Sequence, residues 1–171
     1  MRLYVPATLD ELDSAAVTAA AATWTVPGRP AHAVTAALSR LWPDEDEEGL
    51  EWYAFLAAAH DSLLRIAEAG GALPLRVVVT VEVPDDVVQP AHEADGAPAS
   101  QVVVTQDLPV TRVVAVHVDE PTASDDILDV LEYAASDDPG ADAALDDAIQ
   151  RVTDLDLLWY APEEIRAIPR G

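Results

Sequence analysis

Hydrophobic positions along the chain change period several times, and each change marks an element. From Arg76 to Val83 the period is two: Val77, Val79, Val81 and Val83 fall on one side, and Arg76, Thr80 and Glu82, with Val78, on the other. This alternation predicts a strand with one buried face and one half-wet face, as in an antiparallel or mixed sheet. Thr111 to Asp119 repeats it, with Val114, Val116 and Val118 on the apolar side. Shorter runs predict strands at Arg2–Val5, Thr23–Val26 and Gln101–Thr105. A turn around Gln106 to Pro109 makes a hairpin of its two flanking strands the natural expectation. A last buried strand starts at Leu157, ends at Pro162 and turns straight into a helix.

Elsewhere the period is three to four. Trp52, Phe55, Leu56, Ala59, Leu63 and Ile66 predict the longest helix, which follows the acidic run Asp44–Glu48 and is stopped by Gly70-Gly71 near Ala69. Thr8-Leu-Asp-Glu11 is a capping-box pattern and predicts a helix carrying Leu9, Leu12, Ala16 and Ala19 or Ala20. Pro30 suits a helix first turn, with Val34, Ala37, Leu38 and Leu41 on one face and Pro43 at the end. Thr122 or Ser124 caps a helix to about Ala135, and after the break at Asp137–Gly140 another carries Leu145, Ala148, Ile149 and Val152. Residues 84–100 hold three prolines, a glycine and several acids, and read as a long mobile loop with room for one helical turn over Asp85 to Gln89. The start of the chain, Leu3-Tyr-Val-Pro6, echoes Trp159-Tyr-Ala-Pro162, and the two end strands are expected in one sheet.

These elements give a single α+β domain over 1–171: a mixed, mostly antiparallel sheet with helices packed on it, of which a ferredoxin-like split βαβ is one version. Composition refines that picture. The net charge of -23 argues against binding nucleic acid or an anionic membrane, since each phosphate contact needs a basic partner. There is no Lys and no Asn, and all nine basic residues are Arg. A high-GC genome with surface charge for solubility accounts for this; salt adaptation and a functional acidic surface are the other readings. Cysteine is absent, which excludes disulfides, a thiolate nucleophile and Cys-ligated metal. The opening Met1–Pro6 reads as a strand rather than a secretory leader, and Ala15–Ala22 is too short to span a membrane, so a cytoplasmic protein is expected.

Candidate chemistry is sparse. Asp44-Glu-Asp-Glu-Glu-Gly49 begins like a calcium loop, but the required acid at the twelfth position falls on Phe55. His117 and Asp119 alternate onto one strand face and could be two metal ligands, or a base with its orienting carboxylate, or simply a polar strand end. His92-Glu-Ala-Asp95 lacks the second His of a zinc helix, His60 fits a partly buried, hydrogen-bonded histidine, and His32 is uninformative. Trp159, Tyr160, Glu163 and Glu164 form the sharpest cluster, aromatics beside carboxylates, suited to a ligand pocket or a basic partner; Glu163 and Glu164 are adjacent, so they do not face each other on a helix. No phosphate-binding glycine loop, nucleophile elbow or zinc spacing occurs, and no cofactor is implied.

Met1-Arg-Leu-Tyr-Val-Pro-Ala-Thr-Leu9, Glu51-Trp-Tyr-Ala54, Ala58-Ala59, Ser62-Leu63, Arg76-Val-Val-Val79, Val114-Ala-Val-His-Val-Asp119, Leu157-Leu-Trp-Tyr160 and Glu164-Ile165 together resemble an uncharacterised family of small actinobacterial proteins. The resemblance implies a high-GC bacterial origin and brings no functional residues with it. Two main functional expectations follow. One is a non-enzymatic domain acting through its acidic surface on a basic protein partner, since Asp119 to Asp147 supplies eleven acids and no basic residue. The other is a small enzyme or metal-dependent ligand binder with His117, Asp119, Tyr160 and Glu164 converging in a pocket. Self-association through an uncovered helix face is a third.

Overall fold

A computed structural model describes residues 1–91, 96–138 and 140–170, and within them nine strands join one sheet. The strands are β1 (Arg2–Ala7), β2 (Ala16–Val17), β3 (Ala22–Val26), β4 (Pro30–His32), β5 (Val77–Glu82), β6 (Val88–Pro90), β7 (Gln101–Val104), β8 (Leu108–Asp119) and β9 (Leu157–Tyr160). The order is β2-β3-β8-β5-β1-β4-β7-β6, with β9 on β8 beyond the end of β3. Every described pairing is antiparallel. The helices are α1 (Ala36–Leu41), α2 (Glu47–Ala69), α3 (Ser124–Ala134) and α4 (Ala141–Thr153). The α+β expectation holds. β4 and β5 flank β1 with α1 and α2 between them in sequence, which is a split βαβ unit. The ferredoxin-like plan stops there, because α3 and α4 lead back to β9, directly antiparallel to β8.

Two short links force the sheet to curl. Pro27–Arg29 joins β3 to β4 and Thr105–Asp107 joins β7 to β8, yet each pair of strands stands four places apart in the order. Four spacings in a flat sheet are about 19 Å, whereas four residue steps reach at most about 14 Å. The links also touch: the Gly28 N–H donates to Asp107 Oδ1 at 2.8 Å, and a Cβ on Gly28 would meet the Gln106 backbone at 3.1 Å, so any larger residue would push the two links apart by a few tenths of an ångström. The curled inner face encloses the main core, with Leu3, Val5, Val77, Val79, Val81, Val116 and Val118 in it and no α-helix. Two 3-10 segments plug it, Leu9–Ser14 from one end of the chain and Pro162–Ala167 from the other, and Arg166 ties them by donating to Ala15 O at 2.6 Å.

Several predicted elements take other forms. The capping box at Thr8 is real in part, since the Thr8 N–H donates to Glu11 Oε2 at 2.9 Å, but the segment is a 3-10 turn rather than a helix to Ala20. The Glu11 carbonyl, which a longer helix would need, accepts instead from Trp24 Nε1 and Ser14 Oγ. Pro30 opens a strand, and α1 waits until Thr35, whose Oγ1 accepts from the Leu38 N–H at 3.0 Å. The expected β7–β8 hairpin does not form, because β7 is already paired on both edges, with β4 and β6. Within 84–100, Asp85–Val87 makes one 3-10 turn and Val88–Pro90 a strand, while His92–Asp95 lie outside the described residues.

One correction matters for function. Thr80 pairs with Ala115 but Val81 pairs with Val113, so Val114 is an extra residue in β8. This bulge interrupts the alternation. Val113, Val116 and Val118 face the inner core, and Val114 faces outward with Ala115 and His117.

Candidate functional site

The outer face of the sheet is only half covered. α2 starts at Asp46, whose carboxylate accepts from the Gly49 N–H at 2.9 Å, and ends at Gly70 with a left-handed φ of 55°. Its small residues Ala54, Ala58 and Ala59 let it lie close to β1 and β5, against Tyr4 and Val78. Ser62 fixes it there: its hydroxyl donates to Ala7 O and accepts from the Val77 N–H, both at 2.8 Å. α3 and α4 pack on each other and on the far end of α2, through Leu63, Ile66, Ile127, Val130 and Val152. Among the described residues no α-helix packs across the outer face of β8 and β9, which α2 meets only at its margin through Phe55 and His117. A cleft of about 1000 Å³ is left between α2, the outer face of these two strands and the Leu155–Leu157 segment.

Its floor is Thr80, Ala115, His117 and Trp159; its α2 wall is Trp52, Phe55, Leu56, Ala59 and His60. The aromatic rings are connected. Trp52 stacks on Phe55 at 5.4 Å, and Phe55 meets His117 edge-on at 4.8 Å and Tyr4 at 6.2 Å. At one end Arg2 donates to both oxygens of Glu51, at 3.0 and 2.9 Å. Burial, and then the Glu51 carboxylate, push the Tyr4 phenol up to about 12, so it stays protonated at neutral pH. Burial likewise holds the His117 imidazole below its ordinary value, so it is neutral there.

Among the described residues four buried side-chain polar atoms have no hydrogen-bond partner in the protein, and two of them, Thr80 Oγ1 and His117 Nδ1, belong to residues on this floor. The other two are Nε atoms of Arg29 and Arg65, whose guanidinium groups are otherwise paired with Glu11 and Glu68. A buried hydroxyl or imidazole nitrogen without a partner costs about 1–3 kcal/mol; both atoms are themselves closed off beneath the cleft surface, so they mark its floor as polar and are not its open contact points.

The structure separates the sequence candidates. His117 and Trp159 come together as direct cross-strand partners on the cleft side. Asp119 follows on the same face but is 2 % exposed and fully engaged: Oδ2 accepts from Arg76 N and Nε at 2.8 and 2.9 Å, and Oδ1 from Arg76 Nη2 at 2.7 Å. Arg76 Nη2 also reaches Leu155 O, so this pair clamps β5, β8 and the approach to β9. Tyr160 faces the inner core. Glu164 caps the 3-10 turn by accepting from the Ala161 N–H at 2.8 Å, and Glu163 borders a separate, smaller pocket beside Arg112. Of the acids in Asp44–Gly49, Asp46 caps α2 and Glu47 and Glu48 form its first turn, and among the described residues no group of three or more His, Asp or Glu could hold a metal ion.

Sequence reading passed over Thr80, Tyr4 and Trp52. Thr80 carried a signal, as the one polar residue between Val77 and Val81, but the arrival of α2 from elsewhere in the chain could not be read from it. His60 is exposed at the cleft rather than partly buried. Its neighbour Asp61 is the one that bonds inward, with Oδ2 at 3.0 Å from His32 Nε2, while His32 Nδ1 lies 2.8 Å from Ser100 Oγ. Ser100, His32 and Asp61 have the composition of a hydrolase triad, but His32 is 0 % and Ser100 3 % exposed, so no substrate reaches them and the line is a structural tie.

No helix among the described residues is long and apolar enough to cross a membrane. No curated protein and no solved structure matches the chain. A family model described as a family of unknown function, DUF6912, matches residues 1–168, and the chain belongs to that family.

Proposed function

We propose that this protein is a non-catalytic binding domain for a basic protein partner, and that the cleft between α2 and β8–β9 is the contact surface. The observation that carries this is the cleft itself, with apolar and aromatic walls, Trp159 60 % exposed on its strand side, and the polar residues Thr80 and His117 in its floor. That combination suits a partner bringing apolar groups and a few placed polar ones. Charge selects the sign of the partner. Both arginines at the cleft, Arg2 and Arg76, are held by Glu51 and Asp119, while Glu48 and Asp156 stand on its border in a chain of net charge -23. Binding is preferred to catalysis because the carboxylate that would orient His117 is engaged by Arg76. A cytoplasmic setting in a high-GC actinobacterium fits the lack of Lys and Asn.

The test is capture with the wild-type chain, Trp159→Ala and the doubly neutralised Asp146→Asn, Asp147→Asn. A basic partner released by salt, lost with Trp159→Ala and kept with the α4 double variant supports the cleft. Retention by Trp159→Ala, or binding indifferent to salt, overturns it.

A further inference from the structure

Among the described residues the sheet has three open ends, and they are not finished alike. β2 is two residues long, and β6 is three and contains Pro90, so both are poor templates for another strand. β9 pairs with β8 alone among the described residues, is four residues long, and has no proline or charged residue within it. Its outer edge presents the backbone N–H and C=O groups that β8 does not use. Trp159 is 60 % exposed, and its strand borders the cleft whose floor includes Thr80, a residue 4 % exposed with its hydroxyl unpartnered in the protein. An open, apolar strand edge beside a cleft is the arrangement in which an added strand gains backbone hydrogen bonds and side-chain pockets together.

We propose that the partner is taken up as a β-strand: an extended basic segment pairs its backbone with the free edge of β9 and lowers alternate side chains into the cleft beside Trp159 and His117. This rests on the cleft being a binding surface for a basic partner. The occupant is not a second copy of this chain, because β9 is preceded by Asp154 and Asp156 in a molecule of net charge -23, and edge-to-edge pairing would set like charges against each other. The same acids attract arginine or lysine side chains on an incoming strand.

The experiment uses the full chain, labelled for amide NMR, and a short peptide amide of alternating arginine and valine. Two further forms carry backbone N-methyl groups, one on the arginines and one on the valines; a last control replaces arginine by glutamate. The expected result is that amides of Leu157–Tyr160 shift and exchange more slowly, and that one N-methyl form, but not the other, binds about tenfold or more weakly, since only one edge of the peptide can pair. Trp159→Ala, at an exposed position, keeps the fold and loses the shifts. If both N-methyl forms bind as well as the parent, strand addition is wrong while the acidic cleft stands. Equal binding of the glutamate peptide removes the basic-partner reading, and no shift in β9 with any peptide removes both.

Discussion

α2 has two flanks on the outer face of the sheet, each with a histidine, and they are finished in opposite ways. On the β4 side His32 is enclosed and both ring nitrogens have partners, Ser100 Oγ and Asp61 Oδ2. On the β8 side His117 faces the cleft, one nitrogen is buried without a partner, and Thr80 beside it is in the same condition. The sheet and the helix are common to both flanks; what differs is whether the polar groups are closed off. Satisfied groups fix the helix in place, and unsatisfied ones carry a stability cost that a bound polar atom, from water or from a ligand, relieves. Under the proposed function, this contrast gives structure to one flank and binding to the other.

The largest expected effect lies where the cleft side is itself locked. Asp119→Ala leaves the Arg76 guanidinium buried with only Leu155 O for a partner. It should cost about 3–5 kcal/mol, as for other broken buried pairs, and urea unfolding would read it. A loss under about 1 kcal/mol would mean that Arg76 finds water, and the β8–β9 end is more open than described. Next is His32→Ala, which empties a buried site and strands Asp61 and Ser100; about 2–4 kcal/mol is expected by the same measurement. An effect near zero would erase the contrast between the flanks.

Which of this was legible in sequence follows from range. Local periodicity located α2, β5 and β8, because their patterns are set by their own residues. The last strand also starts at Leu157 as expected, but it is not buried: it lies at an edge, with Leu158 and Trp159 exposed. The Leu9 helix failed because Trp24 takes the carbonyl it needed, that of Glu11, from thirteen residues further on. The β7–β8 hairpin failed because β4 had already claimed the edge of β7. At the site, His117 and Trp159 were legible as polar and aromatic residues at strand ends. Their meeting depends on β8–β9 register, and the difference between His117 and Asp119, two residues apart on one face, depends on Arg76 arriving from β5's start. Sequence spacing alone cannot distinguish an engaged carboxylate from a free imidazole.

Smaller effects with the opposite sign sharpen the comparison further. Thr80→Val removes an unpartnered hydroxyl at nearly constant volume, and His117→Phe removes the unpartnered nitrogen beside Phe55. Each should raise stability by about 1 kcal/mol while weakening partner binding, whereas loss of stability would show that the protein itself satisfies these groups.

The smallest effect is in pH. Above about pH 6.5 His117 is neutral in the folded and unfolded chain alike and contributes no slope. Below that value the unfolded chain takes up a proton that the buried imidazole refuses, since burial holds its folded pKa lower. The unfolded state then binds more protons, so stability falls as pH falls, until the pH has passed the folded pKa. His117→Phe should remove this part of the acid loss and leave the rest, including that from Glu11. For Glu11, burial opposes ionisation, but the Arg29 and Thr8 hydrogen bonds outweigh it and hold the carboxylate below its usual value. Urea midpoints at about pH 7.5 and pH 5.5, either side of the unfolded histidine's pKa, separate the two chains. Parallel slopes would mean that His117 is hydrated in the cleft, and its free nitrogen would then cost too little to mark a binding site.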